Sequence, residues 1–272
     1  MMSTQKSKFC LGIVLYNPSA QELIQINLYE KMGLFEQILV HDNSSISHQD
    51  QVPTSVRYVF TGKNKALAVP YNQMIDYAMQ HQFNFLCLLD QDSVYPSREI
   101  QSMIQFLSTH QARLTNTAII GPLIPNAQNK WSAKRENLKP VRWLINSGSF
   151  LNISCLNRHH LRYDENIFLD GIDYDICWTA REKGCLIQQF SNSVLQHQVG
   201  NKLSKTEMFT GHAADRYYYI AHNTKYIRRK HMGYIVGSLY ALASNLRLIV
   251  RIIRFETDKC PKVKEVLRGI LN

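Results

Sequence analysis

The chain has 272 residues, of which 45% are hydrophobic, and a formal net charge of +10. This length and composition allow a full core in one large domain or two small ones, and the sequence shows no internal repeat or low-complexity tract. Residues 216–272 carry 12 Lys and Arg against 3 Asp and Glu, a balance of +9, so the remainder is close to neutral. The basic charge therefore belongs to the C-terminal segment.

The cysteines and the first residues indicate a cytosolic protein. The six cysteines are scattered, and no CxxC pair occurs. This usage favours free thiols in a reducing compartment over a disulfide framework. The chain starts without an apolar region followed by a small-residue cleavage site, so a signal peptide is not expected.

Strand and helix signals alternate in the first half. Residues 8–16 predict a buried strand that stops at Asn17-Pro18, and Ile24, Leu28 and Met32 then recur at helical spacing before Gly33. Later strands are predicted at residues 37–41, 56–60 and 83–89 and from residue 118, with helices at residues 66–80 and around 100–107. This alternation predicts a mostly parallel sheet with helices on both faces.

Polar side chains follow several of these predicted strands. Asn17, Asp42 and the pair Asp90 and Asp92 all come just after a strand end. Ligands bind outside the carboxyl ends of parallel strands, so these residues are expected on one rim of the sheet. Two converging carboxylates would bind a cation; the alternative is a strand end capped by solvated acids. For Asp42 and Asn43 the alternative is an ordinary Asx-turn.

The pattern changes after residue 126. Residues 147–154 predict a strand with a small, open beginning at Ser147-Gly148-Ser149. Acidic residues at 170, 173 and 175 then precede a helix that ends at Gly184, a strand follows at 186–190, and His197 lies in a predicted loop. The basic segment interleaves aromatic, aliphatic and arginine residues, which is typical of a helix lying on a membrane surface or of helices packed on the core. Its longest charge-free stretch, residues 232–246, is shorter than the ~20 apolar residues of a spanning helix.

Eight short segments follow one another over about residues 8–223: VLYNP, ILVHDNSS, NKALAVPYN, FLCLLDQDS, NSGSFL, FLDGIDYDICWTAREKG, LQHQVG and RYYYIAHN. In this order they resemble family 2 inverting glycosyltransferases, and within them bacterial dTDP-rhamnose-dependent rhamnosyltransferases. The chain departs from the family pattern at Ala66 and Ser44, where glycine is common, and at Pro70, where a small residue is common. The resemblance implies a GT-A-type, Rossmann-like α/β fold with a helical C-terminal extension. It implies a nucleotide-sugar-binding domain at residues 1–215, with its acceptor side at about 126–215, and the extension at 216–272.

The resemblance also implies roles for individual residues. Asp90-Gln91-Asp92 corresponds to the family's DxD motif, with Asp92 on Mn²⁺ or Mg²⁺ and Asp90 on the sugar of the nucleotide. His197 would complete the metal site; the alternative is a loop histidine without a metal. The nucleotide would be bound by Tyr16, Asn17, Asp42, Asn64, Asp90 and Gln91, with Asp42 accepting a hydrogen bond from the pyrimidine.

Asp173 falls on the family's catalytic base. An inverting transfer needs one base to take the proton of the acceptor hydroxyl, and Asp170 and Asp175 are competing candidates. Asp175 has a structural alternative at the helix start. Ser147, Gly148, Ser149 and Asp170 are expected on the sugar or acceptor side.

These inferences predict a metal-dependent inverting glycosyltransferase. It would move L-rhamnose from dTDP-rhamnose to a polyprenyl-diphosphate-linked intermediate of O-antigen or capsule, at the inner face of the cell membrane, without nucleic acid. Alternatives are another donor such as a UDP-hexose or UDP-galactofuranose, a nucleotidyltransferase, and a basic membrane- or nucleic-acid-binding module. A nucleotidyltransferase would ordinarily have a glycine-rich phosphate loop where YNPSAQE stands. Acceptor linkage and oligomeric state do not follow from the sequence.

Overall fold

The computed structural model describes residues 7–124, 138–195, 201–202, 210–211 and 213–272. The chain divides into two compact units. The first unit comprises Met1–Tyr163 and Ile176–His197, and the second comprises Asp164–Asp175 and Gln198–Asn272. The domain boundary inferred from the sequence at residue 215 stays a prediction.

The first unit contains a sheet that has eight strands in the described part of the chain, in the order β3-β2-β1-β4-β7-β5-β8-β6. Strands β1, β2, β3 and β4 are mutually parallel, β8 is parallel to β5, and β6 and β7 run antiparallel to their neighbours. The predicted mostly parallel α/β sheet is therefore confirmed. Its strands are β1 (Phe9–Leu15), β2 (Gln37–Asp42), β3 (Arg57–Phe60), β4 (Phe85–Asp90), β5 (Thr117–Leu123), β6 (Leu138–Pro140), β7 (Phe150–Asn152) and β8 (Leu186–Val194).

Most of the helices that alternate with these strands lie close to their predicted positions, but the fourth was not predicted and begins within the strand expected at residues 147–154. They are α1 (Ala20–Met32), α2 (Ala68–Gln80), α3 (Ser97–His110), α4 (Ile153–Arg158) and α5 (Ile172–Glu182). Helix α1 starts with a capping box between Ser19 and Glu22 and ends at Gly33 in the left-handed conformation.

The face of α1 that enters the core differs from the one that the spacing suggests. Leu23, Ile26 and Tyr29 are buried, whereas Ile24 and Leu28 are 58% and 44% exposed. Tyr29 is buried because its hydroxyl accepts a hydrogen bond from the amide of Tyr95 and donates to the carbonyl of Ser93. A polar aromatic residue with two partners thus occupies the core position that the aliphatic pattern assigned to its neighbours.

The first unit is held by a core on its sheet. The Phe9 and Phe85 rings stack with centroids 5.5 Å apart, and Phe150 meets Phe9 edge-on at 6.3 Å. These side chains come from β1, β4 and β7, so the core links the parallel strands to the antiparallel insertion.

The second unit contains three long helices and the short antiparallel pair β9 (Asn201–Lys202) and β10 (Thr210–Gly211). The helices are α6 (Ala214–Met232), α7 (Tyr234–Phe255) and α8 (Lys259–Leu271). Tyr217, Ala221, Ile252 and Val266 form their core. Gly237 and Gly269 have no room for a side chain, since an added Cβ would lie 2.3 Å from Arg228 O and 2.5 Å from Tyr218 O. The helices therefore pack at close range.

Helix α7 has the length and composition of a membrane span. It has 22 residues, and the mean hydropathy of its most apolar window is 1.4. The charge-free stretch at residues 232–246 is shorter than a span, but the whole helix, with its arginines, is long enough to cross a membrane. Among the described residues, no other helix meets the same criterion.

Candidate active site

The carboxyl ends of β2 and β4 flank the end of β1. In the pairing register Leu15 lies beside Asp42, and Val14 lies beside Asp90. Asn17 follows β1 and adopts the left-handed conformation with a φ of 46°. The strand-end residues therefore lie on one edge of the sheet, as the sequence predicts.

Gln91 fixes the loop after β4 to the loop after β1. Its side-chain oxygen accepts from the amide of Tyr16 at 2.7 Å, and its Nε2 donates to the Tyr16 carbonyl at 3.3 Å and to Glu22 at 3.2 Å. The Tyr16 side chain is 51% exposed. Gln91 therefore fixes the two loops to each other, and the ring of Tyr16 is exposed on the rim that they form.

Ser147 and its neighbours support the loop from below. The Ser147 hydroxyl accepts from the amide of Asp90 at 3.1 Å and donates to the hydroxyl of Ser93 at 2.8 Å. The Gly148 amide donates to Leu88 O at 2.7 Å, and the Ser149 hydroxyl donates to Ile145 O at 2.6 Å.

These bonds correct the expectation that the Ser147-Gly148-Ser149 segment offers its amides and hydroxyls to the sugar or acceptor. Both serines are 1% exposed and have partners inside the protein. Gly148 has a φ of +76°, and an added Cβ would lie 2.9 Å from the side chain of Leu195. Glycine is therefore needed for packing below the rim, and the segment holds Asp90 in place.

Asp92 stands out on this loop. It is exposed, and it has no hydrogen-bond or ion-pair partner among the described residues. Asp90, two residues earlier, is half-buried. Carboxylate oxygens are the ligands that Mg²⁺ and Mn²⁺ prefer, so an open carboxylate on a fixed loop fits such a cation. His197, the second expected metal ligand, lies outside the described residues.

Asp42 is the opposite case. Its side chain is fully buried, and it accepts hydrogen bonds from the Ser44 amide at 2.9 Å, from His48 Nδ1 at 2.8 Å and from the hydroxyl of Tyr58. Burial by itself raises the pKa of this carboxyl, but the bonds from Ser44, Tyr58 and His48 outweigh it and hold the pKa below its usual value. In this arrangement Asp42 has no open face for a pyrimidine, which corrects its expected direct contact.

The neighbouring asparagines connect the same rim to the loop before α2. The Asn43 side-chain Nδ2 donates to Ala66 O at 2.6 Å, and the Asn64 side-chain oxygen accepts from the backbone amide of Ala66 at 2.8 Å. Ala66 has a φ of 56°, a conformation that glycine adopts without strain. The alanine that departs from the family pattern is thus held in place by two asparagines. Asn64 itself is exposed.

In the second unit, Asp170 forms a two-pronged ion pair. Arg216 Nε and Nη2 lie 2.9 Å and 2.8 Å from its two oxygens. Asn223 donates to the carbonyls of Phe168 and Asp170, each at 2.8 Å. The segment before α5 is therefore anchored on α6, and Asp170 is committed to Arg216.

Asp175 is a buried ion-pair residue. It is 1% exposed, and both Lys230 Nζ at 2.8 Å and His231 Nε2 at 2.9 Å contact it. Lys230 also contacts Asp164 at 2.8 Å. Burial lowers the pKa of Lys230, but its bonds to Asp164 and Asp175 raise it overall. Asp175 also lies in the first turn of α5, so the structural alternative at the helix start holds and these contacts add to it.

Asp173 lies in the first turn of α5 and is half-buried. Burial, together with the charge of Asp173, raises the pKa of the adjacent Tyr174. Asp170 and Asp175 are bound by side chains of α6, and Asp173 stays the candidate base that the motif resemblance implies.

Sequence reasoning missed the residues that hold the rim. Tyr58, His48 and Glu22 give no motif of their own, and their partners lie 16, 6 and 69 residues away along the chain. The only signal was indirect, because a buried acid at the end of β2 requires donors.

Solved structures that are similar to the chain in shape include glycosyltransferases. S. aureus TarS 1-349 in complex with UDP-GlcNAc matches with a TM-score of 0.53 at 12% identity, over 97% of this chain and 72% of that one. GalNAc-T7 with UDP, GalNAc and Mn²⁺ matches with a TM-score of 0.55 at 11% identity, over 88% of this chain and 58% of that one. At this identity the likeness shows the fold, and the fold is that of GT-A glycosyltransferases.

In sequence, the chain is similar to the dTDP-rhamnosyl transferase RfbF of Shigella flexneri. The two are 20% identical over 276 residues, which is 96% of this chain and 93% of the relative. No family model matches the chain. The likeness stated from sequence motifs to family 2 enzymes, and to rhamnosyltransferases among them, is confirmed. Sequence and fold together support glycosyltransferase activity.

Proposed function

We propose that the chain is an inverting rhamnosyltransferase that moves L-rhamnose from dTDP-rhamnose to a lipid-linked intermediate of a surface polysaccharide such as O-antigen or capsule. The observation that carries the proposal is the likeness to a dTDP-rhamnosyl transferase over 96% of the chain. An open acid on a fixed rim of a GT-A sheet adds support, because such a rim is where ligands of parallel sheets bind.

The nucleotide would lie on the rim after β1, β2 and β4. The exposed Tyr16 ring and the exposed Asn17 and Asn64 side chains would contact it, with Asp90 on its sugar. Gln91 and Asp42 would act one step away, by holding the loops that carry these contacts.

Asp92 would hold the divalent cation, together with His197. Mn²⁺ or Mg²⁺ bound there would neutralise the negative charge that develops on the departing diphosphate. The similarity to GalNAc-T7, whose structure contains Mn²⁺, supports this assignment. The contribution of the chain is an exposed carboxylate on a loop fixed by Gln91 and Ser147.

Asp173 would take the proton from the acceptor hydroxyl as that hydroxyl attacks the anomeric carbon from the side opposite the diphosphate. The attack forms the new glycosidic bond and breaks the bond to the diphosphate, which inverts the anomeric configuration. A positioned carboxylate is suited to this step. The motif resemblance supports Asp173 for the role, and the pairing of Asp170 with Arg216 and of Asp175 with Lys230 and His231 gives those two acids a structural role.

A panel of nucleotide sugars tests the donor. The melting temperature of the full chain is measured with dTDP-rhamnose, dTDP, UDP-GlcNAc and a GDP-sugar, each with Mn²⁺ or with EDTA. A ligand at 100 times its dissociation constant stabilises by about 2.7 kcal/mol, which shifts the melting temperature measurably. We expect the largest rise with dTDP compounds and Mn²⁺. A larger rise with UDP-GlcNAc would contradict the rhamnose donor, and no rise with any nucleotide would contradict the transferase itself.

We also propose that α7 binds the inner face of the cell membrane peripherally. Its face toward α6 and α8 includes the buried Gly237, Ala241, Asn245 and Ile252, and Asn245 donates to Ala221 O at 3.3 Å. The opposite face is an exposed apolar stripe formed by Ile235, Leu239, Leu242, Leu246, Val250 and Ile253. The exposed cations Arg247 and Arg254 lie on the same helix. A one-sided helix of this kind suits an anionic lipid surface better than a span.

Substitutions on the exposed stripe test this proposal without removing the helix. Leu239→Ser with Leu246→Ser should reduce cosedimentation with vesicles that contain anionic lipid, while Ile24→Ser with Leu28→Ser, on the exposed face of α1, should not. Equal sedimentation of both double variants would contradict the lipid surface. Dissociation of a dimer by the α7 variant would assign the stripe to a second copy instead.

A further inference from the structure

Two cysteines and a histidine converge in the first unit, apart from the rim. Cys155 lies in α4, His159 follows the end of that helix, and Cys185 precedes β8. Their ligand atoms all lie within 4.8 Å of one another, and the two sulfurs are 3.8 Å apart. Both cysteines are buried and the histidine is half-buried.

We propose that Cys155, His159 and Cys185 bind a zinc ion. Two thiolates at about 2.3 Å from one tetrahedral zinc lie about 3.8 Å apart, which is the separation found here. The sulfurs are free thiols, and their distance is nearly twice the ~2.05 Å of a disulfide bond. The distance, which is that of a thiol–thiol contact without metal, thus also fits two ligands of one ion.

The site is fixed by contacts that need no metal. Lys183 Nζ donates to the carbonyls of His159 at 2.8 Å and His160 at 3.1 Å, which ties the end of α4 to the segment before β8. The Asn152 side chain accepts from the Cys155 amide at 3.3 Å, and Asn116 donates to Gly184 O at 2.8 Å. The two segments that carry the ligands are therefore held in position before an ion arrives.

The ligand chemistry selects the ion. Two thiolates, one neutral imidazole and Zn²⁺ sum to zero charge, so the complex suits a buried position. Thiolates disfavour Mg²⁺ and Mn²⁺, which prefer oxygen. Three protein ligands leave one position of the tetrahedron for a water molecule, which can enter beside the half-buried His159. This zinc site would therefore differ in metal class from the site proposed at Asp92.

The place of the cluster in the sheet separates the proposed zinc from the rim. Asn152, just before α4, pairs with Phe85 at the start of β4, and Leu186 pairs with Thr117 at the start of β5. Asp90 is the last residue of β4, so the cluster lies at the amino ends of these strands and the rim lies at their carboxyl ends. The zinc would join α4 to β8 and take no part in sugar transfer.

Cobalt substitution tests the site on the unaltered full chain. We expect the chain to bind about one Zn²⁺, resistant to dialysis, and to bind Co²⁺ with the near-ultraviolet thiolate-to-cobalt band and the visible bands of a tetrahedral complex. Absence of the thiolate band, together with six thiols that react freely after unfolding and no retained zinc, would overturn the proposal. A mass lower by two hydrogens would overturn it in favour of a disulfide.

Serine variants locate the ligands. Cys155→Ser and Cys185→Ser should each lose the thiolate-to-cobalt band or show half its intensity. Loss of a partner that only supports a ligand weakens metal binding by ~10–100-fold, so loss of a ligand itself should weaken Zn²⁺ binding by at least that factor. Cys260→Ser is the matched control, because Cys260 is exposed and lies in the second unit. Full zinc binding by both variants would overturn the assignment. If a variant fails to fold, the cobalt spectrum of the parent chain still decides the question.

Discussion

The loops after β2 and β4 lie on the same edge of one sheet and use their acids in opposite ways. Asp42, in the first loop, is fully buried and bound by Ser44, His48 and Tyr58. Asp92, in the second, is exposed and has no partner among the described residues. An acid at the end of a parallel strand is thus either part of the scaffold or open to a ligand, and its partners decide which.

The second unit also has acids that are part of the scaffold. Asp175 is buried between Lys230 and His231, and Asp170 is paired with Arg216. Removal of a scaffold acid should cost mainly stability, whereas removal of a reactive acid should cost mainly function.

The largest functional effect is expected at Asp173. Asp173→Asn keeps the shape of the side chain but removes the proton acceptor, so turnover should fall by about 10²–10⁴-fold. The dissociation constant of the nucleotide sugar should change little, because the proposed base acts on the acceptor hydroxyl. Steady-state kinetics and calorimetry on the same preparation measure both quantities.

Glu182→Gln, at the other end of α5, is the matched control, because Glu182 is exposed and should leave turnover unchanged. If Asp173→Asn keeps normal turnover while folded Asp170→Asn is inactive, the assignment of the base to Asp173 is wrong.

Asp175→Asn should cause the largest loss of stability. The substitution removes the buried carboxylate that Lys230 and His231 contact, although Lys230 keeps its ion pair with Asp164. Breaking a fully buried pair costs about 3–5 kcal/mol of unfolding free energy, and the loss here should lie at or below the lower end of this range because Lys230 is 31% exposed. Asp76→Asn is the control, because Asp76 pairs with Arg162 at an exposed site, where pairs contribute about 0–1 kcal/mol. Urea unfolding measures both, and equal losses would contradict the buried pair.

Tyr58→Phe tests the scaffold role of Asp42. It removes one donor from a buried carboxylate, which should cost about 1.5–3 kcal/mol of unfolding free energy. Tyr77→Phe serves as the control, since the Tyr77 hydroxyl makes no hydrogen bond with a described residue. A loss no larger than that of the control would show that Asp42 does not depend on Tyr58.

Acid should weaken the second unit through Asp164. Burial raises the pKa of this carboxyl, but its bonds from Lys230, Asn166 and Tyr226 lower the pKa from 3.8 to about 2. A depressed pKa means that the stabilisation is present above about pH 4 and is lost as the pH falls toward 2. The loss should be about 1–2 kcal/mol. Asp164→Asn should show a flatter profile over this range, and an identical profile would contradict the linkage.

Much of the sheet and the position of its acids could be predicted, because strand ends and helix caps are local signals. Gly33 ended α1 as predicted. The burial of Tyr29 in place of Ile24 could not be predicted, because its partners Ser93 and Tyr95 lie more than sixty residues away. The partners of Asp42 lie only 2 to 16 residues away, but Ser44, His48 and Tyr58 form no motif that would have pointed to them. The local sequence shows which residue type follows a strand, whereas contacts formed in the folded chain determine whether its side chain is open to a ligand.

Asp92→Ala tests whether Asp92 binds the divalent cation that assists nucleotide binding. The side chain is exposed, so the free energy of unfolding should change by no more than about 0.5 kcal/mol. Calorimetric titration of dTDP with and without Mn²⁺ should show a metal-enhanced affinity in the parent chain and in the control Asp50→Ala, an exposed acid elsewhere in the first unit. In Asp92→Ala the enhancement should disappear. Equal enhancement in Asp92→Ala and the parent would contradict the account.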